Sequence, residues 1–184
     1  MRITFVGLGV MGAPMAGHLV RAGHQVTGFN RSPEKAGRWA TATGARVEPD
    51  VARAAEGAEL LILCVGNDDD VRATVHAALE ATAPGAVILD HTTTSATVAR
   101  EMAVLAAEAG RSFLDAPVSG GQAGAEAGKL SVMVGGEAAA LERARPALDV
   151  YAKAVRHMGP SGAGQLTKMV NQIAIAGVVQ GLAE

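Results

Sequence analysis

Residues 7–12 read Gly7-Leu8-Gly9-Val10-Met11-Gly12, directly after the apolar run Ile3 to Val6 and at the start of a helical pattern from Met11 to Arg21. In this setting the first glycine makes a tight turn, the second lets the backbone approach a pyrophosphate, and the third allows close helix–sheet packing. The N-terminus of the helix would stabilise the phosphate charge. The alternative is a strand-to-helix turn without a ligand. The flanking strand and helix favour a dinucleotide-binding loop.

Strand-like and helix-like segments alternate along the chain. The predicted strands are Ile3 to Val6, Gln25 to Phe29, Leu60 to Val65, Ala86 to Leu89, Ser112 to Ala116 and Leu130 to Val134. Ser32, Asp50 and Ser95 are predicted to cap the helices that follow them. The alternation predicts an α/β fold with a Rossmann-type, doubly wound and mostly parallel sheet. We assign residues 1–160 to this domain.

The last segment, from about Gln165 to Glu184, has apolar residues on every face of a helix, among them Met169, Ile173 and Val178. A helix of this kind is normally buried on all sides. We predict that residues 161–184 form the start of a long interdomain helix. This helix would lead to an all-α C-terminal domain that lies outside the present sequence. That helical domain, or a partner subunit, would pack against the helix.

Composition and charge exclude several classes of function. The 184 residues are 49% hydrophobic and 18% charged, with a formal net charge of −2 and no run of lysines or arginines. We therefore expect a small-molecule partner, with no nucleic acid and no membrane. The single cysteine, Cys64, lies in an apolar run and is predicted to be buried, which favours a reducing, cytoplasmic setting. The five histidines lack metal-ligand spacing, so we predict no metal.

The end of the second predicted strand indicates which dinucleotide binds. An NAD-binding domain has an acidic residue about 20 positions after the glycine loop, where it binds the ribose. This sequence has Asn30-Arg31-Ser32 instead. The Arg31 guanidinium suits a 2′-phosphate, and Asn30 and Ser32 offer neutral hydrogen-bond partners. We predict NADP in preference to NAD. The alternative is that Arg31 is a solvated loop residue.

A second ligand site is indicated by two features in the later half of the chain. Ser119-Gly120-Gly121 combines a hydroxyl with uncovered backbone N–H groups, a small anion nest suited to a carboxylate. We interpret residues Ser119 to Gly128 and Gly159 to Gly164 as loops. The next helix carries Lys168 and Asn171, which share a face at i and i+3. Apolar neighbours predict a partly buried Lys168 with a lowered pKa. A ligand-free turn and a solvated lysine are the alternatives.

Together these motifs resemble the β-hydroxyacid dehydrogenase family, which includes 3-hydroxyisobutyrate dehydrogenase and tartronate semialdehyde reductase and is related to 6-phosphogluconate dehydrogenase. The resemblance covers essentially the whole chain. The matching segments are Gly7 to Ala16, Asp115 to Gly121, Gly135-Gly136, and Gly162 to Gln165 with Lys168 and Asn171. Four motifs in the same order make the resemblance specific.

The resemblance implies a role for each matching residue. Lys168 would be the catalytic acid/base, and the substrate carboxylate and hydroxyl would be held by Ser119, Gly120, Gly121 and Asn171. The cofactor would be lined by Val65, Gly66 and Thr93. Relatives commonly have a proline in place of Gly66 and a neutral amide near Asp70, so no role is carried over to Asp70. They commonly lack a histidine at His91, which either approaches the substrate or is structural.

The implied activity is hydride transfer between NADP(H) and a small β-hydroxyacid or semialdehyde, in a homo-oligomer assembled through the helical domain. Two alternatives stay open. Imine reductases resemble the same family but generally have another residue in place of Lys168. A non-catalytic cofactor-binding module would keep the fold without the chemistry, and the presence of Lys168, Ser119 and Asn171 argues against it.

Overall fold

The computed structural model describes residues 1–184 as a sheet flanked by helices, with one 3-10 turn at Leu79–Ala81. The strands are β1 (Arg2–Val6), β2 (Gln25–Phe29), β3 (Arg46–Val47), β4 (Leu60–Leu63), β5 (Val87–Asp90), β6 (Ser112–Asp115), β7 (Val118–Ser119), β8 (Leu130–Gly135) and β9 (Ala152–Gly159). The helices are α1 (Gly12–Arg21), α2 (Pro33–Thr43), α3 (Val51–Ala55), α4 (Asp68–Ala78), α5 (Ala96–Glu108), α6 (Gly121–Glu126), α7 (Ala138–Leu148) and α8 (Ala163–Ala183).

The sheet has the strand order β3-β2-β1-β4-β5-β6-β8-β7, and β9 pairs with β8. The strands from β1 to β6 pair in parallel, whereas β8 runs antiparallel to β6 and β7. The order 3-2-1-4-5-6 is that of a doubly wound dinucleotide-binding sheet, whose ligand crevice lies where the strand order reverses, between β1 and β4. The predicted Rossmann-type, mostly parallel fold ending in a long helix is confirmed.

The core lies on both faces of the sheet. Strand β4 reads Leu60-Leu61-Ile62-Leu63, and all four side chains are fully buried. Because successive strand residues point to opposite faces, Leu60 and Ile62 join the cluster that contains residues of α1 and α7. Leu61 and Leu63 join the cluster that contains residues of α4 and α5. Helices therefore cover both faces, which explains the unbroken apolar run.

Several local predictions need correction. The segment from Ser119 to Gly128 is not a loop, because Ser119 ends β7 and pairs with Ser131, and α6 follows. The predicted loop from Gly159 to Gly164 is too long, because α8 begins at Ala163. The caps at Asp50 and Ser95 are confirmed, since their side chains accept hydrogen bonds from Arg53 N and Val98 N. Ser32 occupies the cap position of α2 but makes no side-chain capping hydrogen bond.

Helix α8 confirms the predicted terminal helix, and most of its surface is solvent-exposed. Its buried residues are Gly164 and Gln165, both in the first turn. The large apolar side chains beyond that turn are exposed, from 42% at Met169 to 83% at Leu182. None of the helices combines the length and the apolar character needed to cross a membrane. What covers the apolar side chains of α8 stays a prediction.

Candidate functional site

The turn after β1 takes its shape from glycine. Gly7 has a φ of +97°, and its N–H donates to the Phe29 carbonyl at 2.9 Å. A Cβ on Gly7 would collide with the Cys64 carbonyl, and a Cβ on Gly12 would collide with the Gly7 carbonyl. Any larger residue is therefore excluded at both positions, and α1 begins close to the sheet. The predicted tight turn and close helix–sheet packing are confirmed.

The same turn leaves the N-terminus of α1 free to meet an anion. Apart from its chain neighbours, no protein atom would lie within 4 Å of a Cβ on Gly9. Met11 occupies the cap position without a side-chain hydrogen bond, and the first turn contains no acidic residue. The N–H groups and the partial positive charge at this helix end therefore have no competing side chain. This is the arrangement that binds phosphate groups in many folds.

A cleft of about 610 Å³ lies beside this turn, where β1, β2 and β4 end. It brings together six residues that the sequence predicts to bind a cofactor: Gly7, Gly9, Asn30, Arg31, Val65 and Gly66. The other lining residues are Val6, Phe29, Lys35, Val51, Cys64, Asp70, Ala73 and Thr74. The volume and the mixed apolar and polar lining are typical of a cofactor site, and the cleft lies at the switch point of the sheet.

The remaining residues predicted to bind the cofactor lie outside this lining. Leu8 buries its side chain in the core, and its N–H donates to Asn30 Oδ1 at 2.9 Å. Asn30 Nδ2 donates to the Ser32 carbonyl at 3.1 Å. Asn30 therefore ties the glycine turn to the start of α2. Of the others, Val10 and Thr93 are exposed, Met11 and Ser32 are half-buried and Gly12 is buried.

Charged side chains meet at the end of β2. The Arg31 side chain is 88% exposed, and its Nη1 lies 3.3 Å from Asp70 Oδ1. Asp70 Oδ2 in turn accepts from the Gly66 N–H at 3.2 Å. Lys35, from the first turn of α2, lines the same cleft. Arg31 is thus solvent-exposed and also paired, and sequence reasoning missed Asp70 as its partner.

The three residues predicted to bind a carboxylate lie at the junction of β7 and α6. Ser119 is half-buried and lies opposite Ser131 in the antiparallel pair of β7 and β8. Gly120 and Gly121 are exposed, with φ values of +131° and +60°. Side chains are strained at such positive φ values, so glycine is required here. Both glycines are solvent-exposed, and their role in binding a carboxylate stays a prediction.

Helix α8 is fastened to the sheet by two buried polar residues. Asp115, at the end of β6, accepts from Gly162 N–H at 2.7 Å and from Gln165 N–H at 2.9 Å. The Gln165 side chain donates to the Thr92 carbonyl at 2.7 Å and accepts from Thr94 N–H at 3.1 Å. The first turn of α8 is thereby fixed to the carboxyl ends of β5 and β6. Sequence reasoning quoted both residues within motifs but assigned them no role.

This attachment determines where Lys168 and Asn171 lie. Lys168 is half-buried, and burial lowers the pKa of its ammonium group, so the predicted partial burial is confirmed. Asn171 is also half-buried, and its Nδ2 is enclosed without a hydrogen-bond partner. A buried amide group without a partner is costly in the absence of a ligand. Lys168 and Asn171 are therefore candidates for holding a ligand.

The residues predicted to bind the substrate lie outside the cofactor cleft. Neither Lys168 nor Asn171 belongs to its lining, and neither do Ser119, Gly120 and Gly121. Helix α8 packs against β8, and β8 pairs with β7, which ends at Ser119.

His91 has a structural role. It is 2% exposed, its Nδ1 lies 2.6 Å from the Ala116 carbonyl and its Nε2 lies 2.8 Å from the Tyr151 hydroxyl. A carbonyl only accepts hydrogen bonds, so Nδ1 carries the proton and Nε2 accepts from Tyr151. Burial lowers the pKa of His91 to about 4, which keeps the ring neutral. His91 is therefore a neutral residue packed inside the domain, and it does not line the cofactor cleft.

The prediction for Cys64 needs correction. Cys64 follows the last residue of β4, is half-buried and lines the cofactor cleft. Desolvation, together with the nearby Asp90 carboxylate, raises the pKa of its thiol to about 12. The side chain is thus a neutral part of the cleft wall. No group of three or more His, Cys, Asp or Glu residues is arranged to hold a metal ion.

Comparison with known proteins gives one matching family and several relatives. The family of the NAD-binding domain of 6-phosphogluconate dehydrogenase matches residues 2–159. An uncharacterised oxidoreductase of Shewanella frigidimarina is 52% identical over 100% of this chain and 64% of its own length. An NAD-dependent L-serine dehydrogenase of Pseudomonas aeruginosa is 40% identical over 100% of this chain and 62% of its own length.

Solved structures agree with these matches. The 3-hydroxyisobutyrate dehydrogenase of Mycobacterium tuberculosis with L-serine has a TM-score of 0.92 and 42% identity, over 95% of this chain and 60% of that chain. The imine reductase of Streptomyces aurantiacus has a TM-score of 0.89 and 27% identity, over 98% of this chain and 64% of that chain. This chain thus spans less than two thirds of the length of these relatives.

Proposed function

The chain belongs to the family of the NAD-binding domain of 6-phosphogluconate dehydrogenase, and we propose that it forms the cofactor-binding part of an oxidoreductase that transfers a hydride between NADP(H) and a small β-hydroxyacid or semialdehyde. The cleft at the switch point supports this proposal most directly. There the turn at Gly7 and Gly9 meets Arg31 and Lys35. The helix end would hold the pyrophosphate, and the two cations would meet a 2′-phosphate.

The preference for NADP over NAD rests on the end of β2. An acidic residue at this position would bind the ribose of NAD, whereas this chain has Asn30 and Arg31 there. The Asn30 side-chain oxygen is engaged by the Leu8 N–H, which leaves Arg31 as the residue facing the ribose. The P. aeruginosa relative is named an NAD-dependent enzyme, so the preference has to be measured.

The chemical step would take place beside α8. When bound, the nicotinamide supplies the hydride chemistry. Lys168 would give or take the proton of the substrate hydroxyl at Nζ, and its lowered pKa brings the amine closer to working pH. The unpartnered Nδ2 of Asn171 would donate to the substrate. Ser119 and the backbone of Gly120 and Gly121 would take the carboxylate.

The bare apolar side chains of α8 would pack against further helices. Exposed patches of this kind mark interaction surfaces, and the family resemblance implies an all-α domain at this place. We include in the proposal that such a domain also joins subunits into a homo-oligomer. Its residues would complete the substrate site beside Lys168 and Asn171. A cytoplasmic setting, inferred from the single cysteine, is part of the same proposal.

The cofactor assignment is tested by titrating the chain with NADPH and NADH and following nicotinamide fluorescence. We expect tighter binding of NADPH. Replacing Arg31 with alanine should weaken NADPH about tenfold and leave NADH unchanged, because a charge-assisted contact to the 2′-phosphate is lost. Equal or tighter binding of NADH by the unmodified chain would refute the preference.

Imine reduction is a second candidate, because the S. aurantiacus imine reductase has the same fold. Lys168 argues against it, since imine reductases generally have another residue there. A panel of succinic, methylmalonic and tartronic semialdehydes, tested beside cyclic imines, separates the two activities through NADPH oxidation. Oxidation with imines alone would replace the proposal. Tight NADPH binding without oxidation of NADPH by any compound, in a form of the protein that includes the predicted helical domain, would favour a non-catalytic cofactor-binding module.

A further inference from the structure

The acid that faces the cofactor cleft comes from α4. Three charged residues line the cleft: Arg31 and Lys35 are cations and Asp70 is an anion. Arg31 Nη1 lies 3.3 Å from Asp70 Oδ1, which is an ion pair across the mouth of the cleft. We propose that Asp70 is a specificity-determining residue that weakens binding of a cofactor 2′-phosphate by competing for Arg31. This inference rests on the proposed binding of NAD(P) in this cleft.

Asp70 is held in place from several sides. Its Oδ2 accepts from Gly66 N–H at 3.2 Å, and its own N–H donates to Asn67 Oδ1 at 2.9 Å. Its carbonyl accepts from Thr74 Oγ1 at 2.7 Å. The Asp70 side chain is 29% exposed and that of Arg31 is 88% exposed. The carboxylate is thus the more restrained member of the pair, and the guanidinium is the more exposed one.

The two cofactors respond differently to this pair. A phosphate monoester carries a charge of about −1.5 to −2 near neutral pH. To bind it, Arg31 must leave Asp70, and the phosphate must approach a fixed carboxylate of the same sign. A ribose with a free 2′-hydroxyl carries no charge and meets neither cost. Asp70 therefore acts against NADP(H) and leaves NAD(H) unaffected.

The other two acids of the same helical turn have partners away from the cleft. Asp68 Oδ1 accepts from Ser95 N–H at 3.0 Å. Asp69 pairs with Arg72 at 3.1 Å, and its side chain is 92% exposed. Neither residue lines the cleft. Asp69 is therefore a matched control, because it lies next to Asp70 on the same helix and carries the same charge.

The test compares Asp70→Asn with Asp69→Asn in NADPH and NADH titrations at low and high NaCl. Asparagine keeps an oxygen that accepts from Gly66 N–H. We expect Asp70→Asn to tighten NADPH binding about fivefold at low salt and to leave NADH binding unchanged. The gain in NADPH affinity should shrink at high salt, because salt screens partly exposed charges. It should also shrink when Arg31 is replaced by alanine. Asp69→Asn should change neither cofactor.

The outcomes separate this inference from the cofactor proposal. An unchanged NADPH-to-NADH affinity ratio in Asp70→Asn, or equal tightening for both cofactors, would overturn the inference. If the unmodified chain prefers NADH while Asp70→Asn still shifts the ratio towards NADPH, the role of Asp70 stands and the proposed NADP preference fails. Asp70→Ser serves as the second variant, with thermal unfolding as the check on folding. In both variants, the NADPH-to-NADH affinity ratio decides whether Asp70 has the proposed role.

Discussion

The glycine turn after β1 and the first turn of α8 both lie at the carboxyl edge of the sheet, and they are fixed in opposite ways. The glycine turn is shaped by backbone contacts, because Gly7 and Gly12 have no room for a side chain. The first turn of α8 is held by the side chains of Asp115 and Gln165. Backbone shape is encoded by local residue spacing, whereas the α8 attachment depends on buried polar groups that are distant in sequence.

The comparison predicts different sensitivities for the two regions. A substitution at Gly9 should leave the turn intact, because space is open there. Substitutions at Gly7 and Gly12 should disrupt the turn, because a Cβ at either position would collide with a backbone carbonyl. The attachment of α8 should be destabilised when a buried hydrogen-bond donor or acceptor loses its partner. Changes on α8 beyond the attachment should affect chemistry without affecting cofactor binding.

The largest expected effect separates chemistry from cofactor binding. In a form of the protein that includes the predicted helical domain, replacing Lys168 with alanine should lower turnover of the semialdehyde substrate at least about 100-fold, because the acid/base is lost. The affinity for NADPH should stay the same, since Lys168 does not line the cleft. Lys153→Ala, at an exposed position on β9, is the matched control. Retained turnover in Lys168→Ala would remove the acid/base assignment.

A smaller effect is expected at the attachment of α8. Burial raises the pKa of Asp115, and the N–H groups of Gly162 and Gln165 oppose that shift. Replacing Asp115 with asparagine turns an NH₂ group towards one of these N–H donors, so we expect a loss of about 2 kcal/mol in the free energy of unfolding. Hydrogen exchange should increase in the first turn of α8. Urea denaturation measures the loss, and Asp149→Asn, at an exposed site, is the control. Equal stability of the two variants would contradict the attachment.

A third prediction concerns the pH dependence of stability at the neighbouring strand β5. Asp90 pairs in register with Asp115, and its Oδ2 is buried without a partner. Burial raises the pKa of Asp90 to about 7, and the Asp115 carboxylate adds to the shift.

An unfolded aspartate has a pKa of about 3.9, so the folded chain holds more protons between the two values, and the Asp90 contribution to stability falls as pH rises. The difference in unfolding free energy between the unmodified chain and Asp90→Asn should therefore decrease from pH 4 to pH 7, by at most about 1.4 kcal/mol per pH unit. A constant difference would show that Asp90 has no raised pKa.

Local features of the fold and the cofactor loop were predictable from the sequence. The apolar runs of β1 and β4 and the spacing of the first glycines are local signals that hold without tertiary context. Strand β9 was not predictable, because it lies at the edge of the sheet and exposes Lys153 and Arg156, which removes the apolar run. The two-residue β3 is too short to leave a pattern.

The parts of the site that could not be predicted depend on contacts between distant residues. Asp115 is separated from Gly162 by 47 positions, and Gln165 from Thr92 by 73. Asp70 is separated from Arg31 by 39 positions. No local pattern encodes such pairs. The sequence therefore predicted a cation at Arg31 but did not predict that Asp70 is its partner. Cys64 was misjudged because the apolar run continues two residues, Cys64 and Val65, beyond the end of β4 into the cleft wall.

The central claim is that the cleft beside the glycine turn holds the pyrophosphate of a nicotinamide dinucleotide, and a titration of Gly9→Val with NADPH and NADH tests it most directly. Apart from its chain neighbours, no protein atom lies within 4 Å of a Cβ at Gly9, so the variant should unfold at the same temperature as the unmodified chain. The valine side chain would occupy the space of the phosphates. We predict that affinity for both cofactors falls at least about 100-fold, because overlap with a closely packed ligand is not tolerated. Unchanged binding of both cofactors by a correctly folded Gly9→Val chain would contradict the account.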